Sequence, residues 1–101
     1  MIHITLVCAA GMSTSMLMAK MKESAKKQDL DAEIIAMSEA QFEAYTEKTD
    51  VLLLGPQISY LEDELREKYE PQGMKVNVIN MADYGMMNGD KVLREAIALL
   101  D

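Results

Sequence analysis

Cysteine and histidine are each present only once in this chain of 101 residues, and ten lysines and arginines face seventeen acidic residues. A single thiol excludes an internal disulfide, a CxxC redox pair and a multi-cysteine zinc site, and it suits a reducing compartment. The shortage of cations leaves a net charge of −7, which repels nucleic acid. The lysines also fail to gather into a basic stripe interleaved with aromatics. No apolar run approaches the roughly 18 to 20 residues needed to span a bilayer, and no basic segment, long apolar core and cleavage site open the chain. The protein is therefore expected to be cytoplasmic. With one histidine and scattered acids there is no convincing ligand set, so neither a metal nor a cofactor is expected.

What remains is half hydrophobic and 27% charged, the balance of a soluble globular protein. The length suits one core and is too short for two, which predicts a single domain over residues 1–101 without a linker. The ten methionines include Met16, Met18 and Met21 on one amphipathic stretch, where they are expected mainly to fill gaps in the core.

Periodicity divides the chain into alternating elements. "MIHITLVC" alternates Ile2, Ile4 and Leu6 against His3, Thr5 and Val7, predicting a first strand that ends at Cys8. From Ser13 to about Gln28, the recurrence of Leu17, Met18, Met21 and Ala25 predicts a helix, with lysines on its remaining faces. "DAEIIAM" reads as a second strand, and "SEAQ" after it has the form of a capping box, with Ser38 as N-cap and Gln41 reaching back. A short helix carrying Phe42 and Tyr45 follows. "DVLLLG" is a continuous apolar run suited to a strand buried on both faces and broken by Gly55-Pro56. Ile58, Leu61 and Leu65 mark a third helix, "KVNVIN" a fourth strand, and Val92, Leu93, Ala96, Ile97 and Leu100 a last helix.

Strands alternating with helices over short connections predict an α/β fold, an open four-stranded parallel sheet with helices on both faces. The most apolar strand, residues 51–54, belongs beside the first in the centre, while the strands around Glu33 and Asn77 carry polar residues suited to edges. The predicted order is 2-1-3-4. Ligands of such sheets bind beyond the carboxyl ends of the strands where the winding reverses, here between the first and third. Cys8 and "GPQISY" flank that crevice.

A lone cysteine commonly just fills space, but this one precedes a small-residue loop and a helix start. Ala9, Ala10 and Gly11 let the backbone approach a ligand closely, Met12 follows, and Ser13, Thr14 and Ser15 add hydroxyl donors and a cap. The unpaired N–H groups and partial positive charge of a helix start bind anions, and the same field favours thiolate over thiol. A nucleophile in such a cradle can accept a phosphoryl group; simple phosphate binding is the alternative. The loop is not a Walker sequence, lacking the Gly-Lys-Ser/Thr ending. His3 lies roughly 16 Å from Cys8 along extended strand, too far to activate it, and reads as a partly exposed strand-start residue. Gln57, Tyr60 and Tyr84 are candidates to line the crevice, without an assigned catalytic role. Asp83 is expected to be a solvated loop or cap residue.

"CAAGMSTSML" after the first strand, "DVLLLGPQISYL" around the third and "YGMMNGDKVL" before the last helix together resemble the IIB components of the bacterial sugar phosphotransferase system, of the lactose/chitobiose/cellobiose type. The resemblance covers nearly the whole chain and implies the phosphatase-like IIB fold. It further implies that Cys8 accepts a phosphoryl group from a phosphohistidine on a IIA protein. Cys8 would then pass the group to a sugar, a β-linked disaccharide, bound in a membrane-embedded IIC permease. The protein would thus dock at the inner face of the membrane, with Met12 near the contact and the sugar chosen mainly by the permease.

The loop is also similar to that of low-molecular-weight tyrosine phosphatases, whose Cys-x5-Arg-Ser/Thr places a bidentate arginine where this chain has Thr14. An arginine-less phosphatase is therefore the alternative, kept alive by Asp83, a carboxylic acid that near the crevice could protonate a leaving group. A response-regulator receiver needs an aspartate where Leu54-Gly55 stand and paired acids where Cys8-Ala9 stand, so that class fails. A redox sensor would instead oxidise the thiol to sulfenic acid or a mixed disulfide under mild peroxide.

Overall fold

The strand read at the start of the chain is Ile2–Cys8, β1. A computed structural model describes residues 1–8 and 12–100, side chains at 12–14 aside. After β1 come α1 (Met12–Lys27), β2 (Ala32–Ser38), α2 (Glu39–Glu43) and β3 (Val51–Leu54). A 3-10 segment (Pro56–Leu61), α3 (Glu62–Tyr69), a short 3-10 turn (Glu70–Gln72), β4 (Lys75–Val78), α4 (Met81–Gly85) and α5 (Gly89–Ala98) complete the fold. All strand pairings are parallel and the order is β2-β1-β3-β4, as the apolarity of the strands predicts. Among the described residues no helix is long and apolar enough to cross a membrane.

Successive residues of a strand point to opposite faces, and β1 divides its side chains between two cores accordingly. Ile4 and Leu6 pack with Leu17 and Met21 of α1 and with Val92, Leu93 and Ala96 of α5. Val7 joins the other core with Phe42, Ile58 and Leu65. β3 splits in the same way, Val51 and Leu53 toward α1 and α5, Leu52 and Leu54 toward α2 and α3. Coverage of both faces explains the unbroken apolar run "VLLL"; fully burying each such side chain contributes about 1.5–3 kcal/mol. The hydroxyl of buried Thr5 shares a 2.9 Å hydrogen bond with that of Thr49, so it is not left unsatisfied.

Several boundaries differ from expectation. The capping box forms as read, with the Gln41 N–H donating to Ser38 Oγ (3.2 Å) and the Ser38 N–H to Gln41 Oε1 (2.9 Å). Tyr45 falls beyond α2 and stacks on Phe42 instead, their ring centroids 6.2 Å apart. The third helix is two pieces, a 3-10 segment and α3, and the first is itself kinked at buried Ile58, which leaves helical geometry at φ −117°, ψ 26°. "KVNVIN" stops being strand at Val78, since Asn80 turns its carboxamide oxygen to the N–H groups of Ala82 (2.8 Å) and Asp83 (3.3 Å). That cap starts α4, a helix absent from the sequence reading, although an asparagine ahead of it is a recognised start signal.

Met21 is fully buried, but Met16 is 62% exposed, contrary to its expected core role. The buried stripe of α1 runs through Leu17, Met21 and Ala25, and a residue one position away is turned about 100° from it.

α1 and α5 lie unusually close at Gly89. A Cβ on that residue would sit 2.6 Å from the Lys20 carbonyl carbon and 2.7 Å from the Met21 nitrogen, backbone atoms that cannot swing aside. Gly89→Ala should therefore separate the helices and destabilise the fold by about 1–3 kcal/mol, the usual cost of overpacking. The urea midpoint should fall with the slope unchanged; an unchanged midpoint would show that the helix pair yields freely.

Candidate active site

From β1 the sheet extends to β2 on one side and to β3 and β4 on the other, and this reversal leaves a crevice at the carboxyl ends of the two central strands. Cys8 closes β1. It pairs with Ser38 across β2, and on its other side the Gly55 N–H donates to the Val7 carbonyl at 2.8 Å. Strand alternation sends the Cys8 side chain to the face of Ile4 and Leu6, the face covered by α1. Only 2% of the residue is exposed.

Of the expected cradle, Ala9, Ala10 and Gly11 lie outside the described residues, while Met12, Ser13, Thr14 and Ser15 form the opening of α1. The charges along α1 distinguish it from the other helices. Its first turn carries no acidic residue and its last turn holds Lys26 and Lys27, whereas α2, α3, α4 and α5 each place an acid in the first turn. A carboxylate there complements the positive end of the helix dipole. At α1 no acid of the first turn does so, and the field of that helix start is not offset by a carboxylate of its own.

Gly55 ends the third strand and flanks the crevice, as the sequence predicts. Its backbone, at φ −62° and ψ 149°, is open to any residue, so what a side chain there would disturb is its neighbours. A Cβ there would lie 2.8 Å from Gln57 Oε1 and 3.0 Å from Cys8 Cβ. Gln57 is thereby brought to the crevice, as the sequence allowed. Tyr60, 77% exposed, stands on the outer surface of the same segment. Tyr84 is only 8% exposed and belongs to the core with Leu17 and Met21.

Asp83 departs from expectation. It is not a solvated loop or cap residue: it lies within α4, only 5% exposed, and the cap is Asn80. Lys91 Nζ of α5 stands 3.3 Å from its Oδ2. That oxygen receives no aligned hydrogen bond, so the ammonium meets it as a charge across a poorly directed contact. Its observed role is to tie α4 to α5. His3 sits at the opposite end of β1 from Cys8, its ring partly exposed and 3.5 Å from Glu33 Oε1, while its backbone N–H donates to Asp50 (2.8 Å). No cluster of three or more possible metal ligands occurs among the described residues.

Comparison with known proteins bears on this arrangement. Residues 3–95 match the family model described as the lactose/cellobiose-specific IIB subunit of the phosphotransferase system. A galactose-specific EIIB component of Lactococcus lactis subsp. cremoris is 47% identical over 97% of this chain and 95% of its own. A cellobiose-specific EIIB component of Lactococcus lactis subsp. lactis matches with the same identity and coverage, 47%, 97% and 95%. The lactose-specific IIB domain structure from Streptococcus pneumoniae superposes with a TM-score of 0.88 over 99% of this chain and 98% of that one, at 15% identity, which establishes likeness of fold.

Removing one partner of a buried charge contact leaves the other desolvated without compensation, whereas removing both is far milder. Lys91→Met should accordingly destabilise the fold by about 1–3 kcal/mol, and adding Asp83→Asn should recover much of that loss. Urea melts of both single variants and the double variant give the coupling; strict additivity would mean that the pair contributes nothing.

Proposed function

The chain belongs to the lactose/cellobiose-specific IIB family of the phosphotransferase system, and from that membership we propose that Cys8 is its phosphoryl carrier. The Sγ thiolate attacks the phosphorus of a phosphohistidine on a IIA protein. The S–P bond forms as the P–N bond breaks, and the released imidazole takes up the proton the thiol gave up. A hydroxyl of a sugar held in the IIC permease then attacks the phosphorus. The new O–P bond replaces S–P, and the hydroxyl proton returns to the sulfur side.

The observation that carries this reading is the position of Cys8, the last residue of a central strand at the reversal crevice, before the helix whose first turn alone lacks an acid among α1 to α5. Backbone N–H groups and hydroxyls at that end can meet the charge of the transferring group. Thr14 in place of a clamping arginine suits a carrier, because a relay intermediate must survive until its acceptor arrives. The alternative, an arginine-less phosphatase, gains little from Asp83, whose buried oxygen is engaged by Lys91.

Docking has support in the surface. Met16, Tyr60 and Met81 are 62%, 77% and 75% exposed, and they follow the carboxyl ends of β1, β3 and β4 respectively. Together with Met12 they supply apolar contact for IIA and for IIC by turns, on the cytoplasmic side of the membrane. The acceptor in this reading is a β-linked disaccharide. Equally similar relatives bear galactose and cellobiose names, as expected if the permease makes the choice.

Intact-protein mass spectrometry tests the carrier. With phosphoenolpyruvate, the general phosphotransferase components and a IIA protein, the chain should gain about 80 Da, one phosphoryl group. Cys8→Ala should not gain it, and the gain should transfer onward. A gain retained in Cys8→Ala would remove Cys8 from the mechanism, and steady phosphate release from aryl phosphates with no gain would favour the phosphatase. For docking, Tyr60→Glu should slow phosphoryl arrival from IIA while leaving the melting temperature unchanged; an unaltered rate would exclude this residue from the contact.

A further inference from the structure

We propose that the Gln57 carboxamide donates a hydrogen bond to the phosphoryl group on Cys8, and that Gly55 is glycine because a side chain there would turn that amide away. The inference rests on the phosphocysteine reading above and deepens it.

The geometry comes from one point in the crevice. Gln57 Oε1 and Cys8 Cβ lie 2.8 Å and 3.0 Å from the place where a Gly55 Cβ would stand. Gly55 follows Val51 and Leu53 in strand alternation, so that point is on the α1 face, the same face to which Cys8 points. Gln57 is exposed and belongs to a segment that runs on into solvent at Tyr60. Its long side chain nevertheless folds back over the strand end instead of extending outward. Among the described residues its carboxamide has no hydrogen-bond partner, so its donors are unspent.

A phosphoryl group on Cys8 would present three acceptor oxygens and nearly two negative charges. Thr14 stands in the sequence where a guanidinium would otherwise meet them, which leaves that charge to neutral donors. Half a turn of the Gln57 amide exchanges Oε1 for Nε2, an interchange that costs the side chain no other contact. Nε2–H then faces the phosphoryl oxygens. Gln57 forms no covalent bond in either transfer; S–P forms and breaks as described, and the amide contributes only N–H···O.

Such a bond stabilises phosphocysteine itself, so its signature is an equilibrium and not only a rate. We would mix this chain with a phosphorylated IIA protein and measure by intact mass the equilibrium ratio of phosphorylated to free forms of both. Losing a hydrogen bond to a charged group, Gln57→Leu should shift the phosphoryl equilibrium about tenfold to a hundredfold toward IIA. Gln57→Glu, which faces the group with a carboxylate, should shift it further. Gly55→Ala should shift it in the same direction by displacing the amide, and if that variant does not fold, the two Gln57 variants still decide. A docking residue behaves differently: Tyr60→Glu should change the rate of approach to equilibrium and leave the ratio intact. An equilibrium ratio for Gln57→Leu equal to that of the unaltered protein would overturn the inference while leaving the carrier in place. An unaltered protein that takes up no phosphoryl group would overturn the carrier and the inference together.

Discussion

The pairing of β1 between β2 and β3, parallel to both, is the constraint on which the rest depends. Parallel pairing brings every carboxyl end to one edge of the sheet and requires a covering element between consecutive strands. Because the chain adds β2 on one side of β1 and β3 on the other, successive crossovers cover opposite faces. The two cores follow from this, one under α1 and α5, the other under α2 and α3. So does the crevice, and with it the position of Cys8 beside Gly55.

Two glycines then set how closely the parts around that crevice approach, both through space and not through unusual backbone angles. Gly55 lets the Cys8 Cβ and the Gln57 amide converge at the strand ends, and Gly89 lets α5 press against the backbone of α1 at Lys20 and Met21. α1 is thus fixed at both levels: Leu17 and Met21 seat it on the sheet, and Gly89 holds its flank.

Electrostatically, the site stands apart from the chain around it. The protein carries a net charge of −7 and places acids at the start of four helices, yet α1 begins without one. Neutral donors at such a place suit the proposed relay, since they can hold a phosphoryl group without the clamp of a guanidinium. The exposed apolar residues Met16, Tyr60 and Met81 lie in the segments that follow the carboxyl ends of β1, β3 and β4, so the proposed chemistry and the proposed partner contacts are assigned to the same end of the sheet.

Much of this is local and therefore legible in the sequence. Alternation in "IHITLVC", the unbroken "VLLL", the stripe Leu17, Met21, Ala25 and the capping box Ser38–Gln41 each depend on residues within a turn or a strand of one another. Relative apolarity of the strands was enough to predict the order β2-β1-β3-β4 and hence the place of Cys8. Contacts between distant segments could not be read in the same way. Asp83 is buried because Lys91 of the following helix reaches it, Met16 is exposed because the seam of α1 passes one residue away, and Gln57 approaches Cys8 because Gly55 leaves room. Periodicity identifies which residues share a face but not how near the neighbouring element comes. The sequence alone therefore determined the strands, their order and the place of the proposed nucleophile, while tertiary packing decided which polar groups are buried and brought the Gln57 amide to the strand end that carries Cys8.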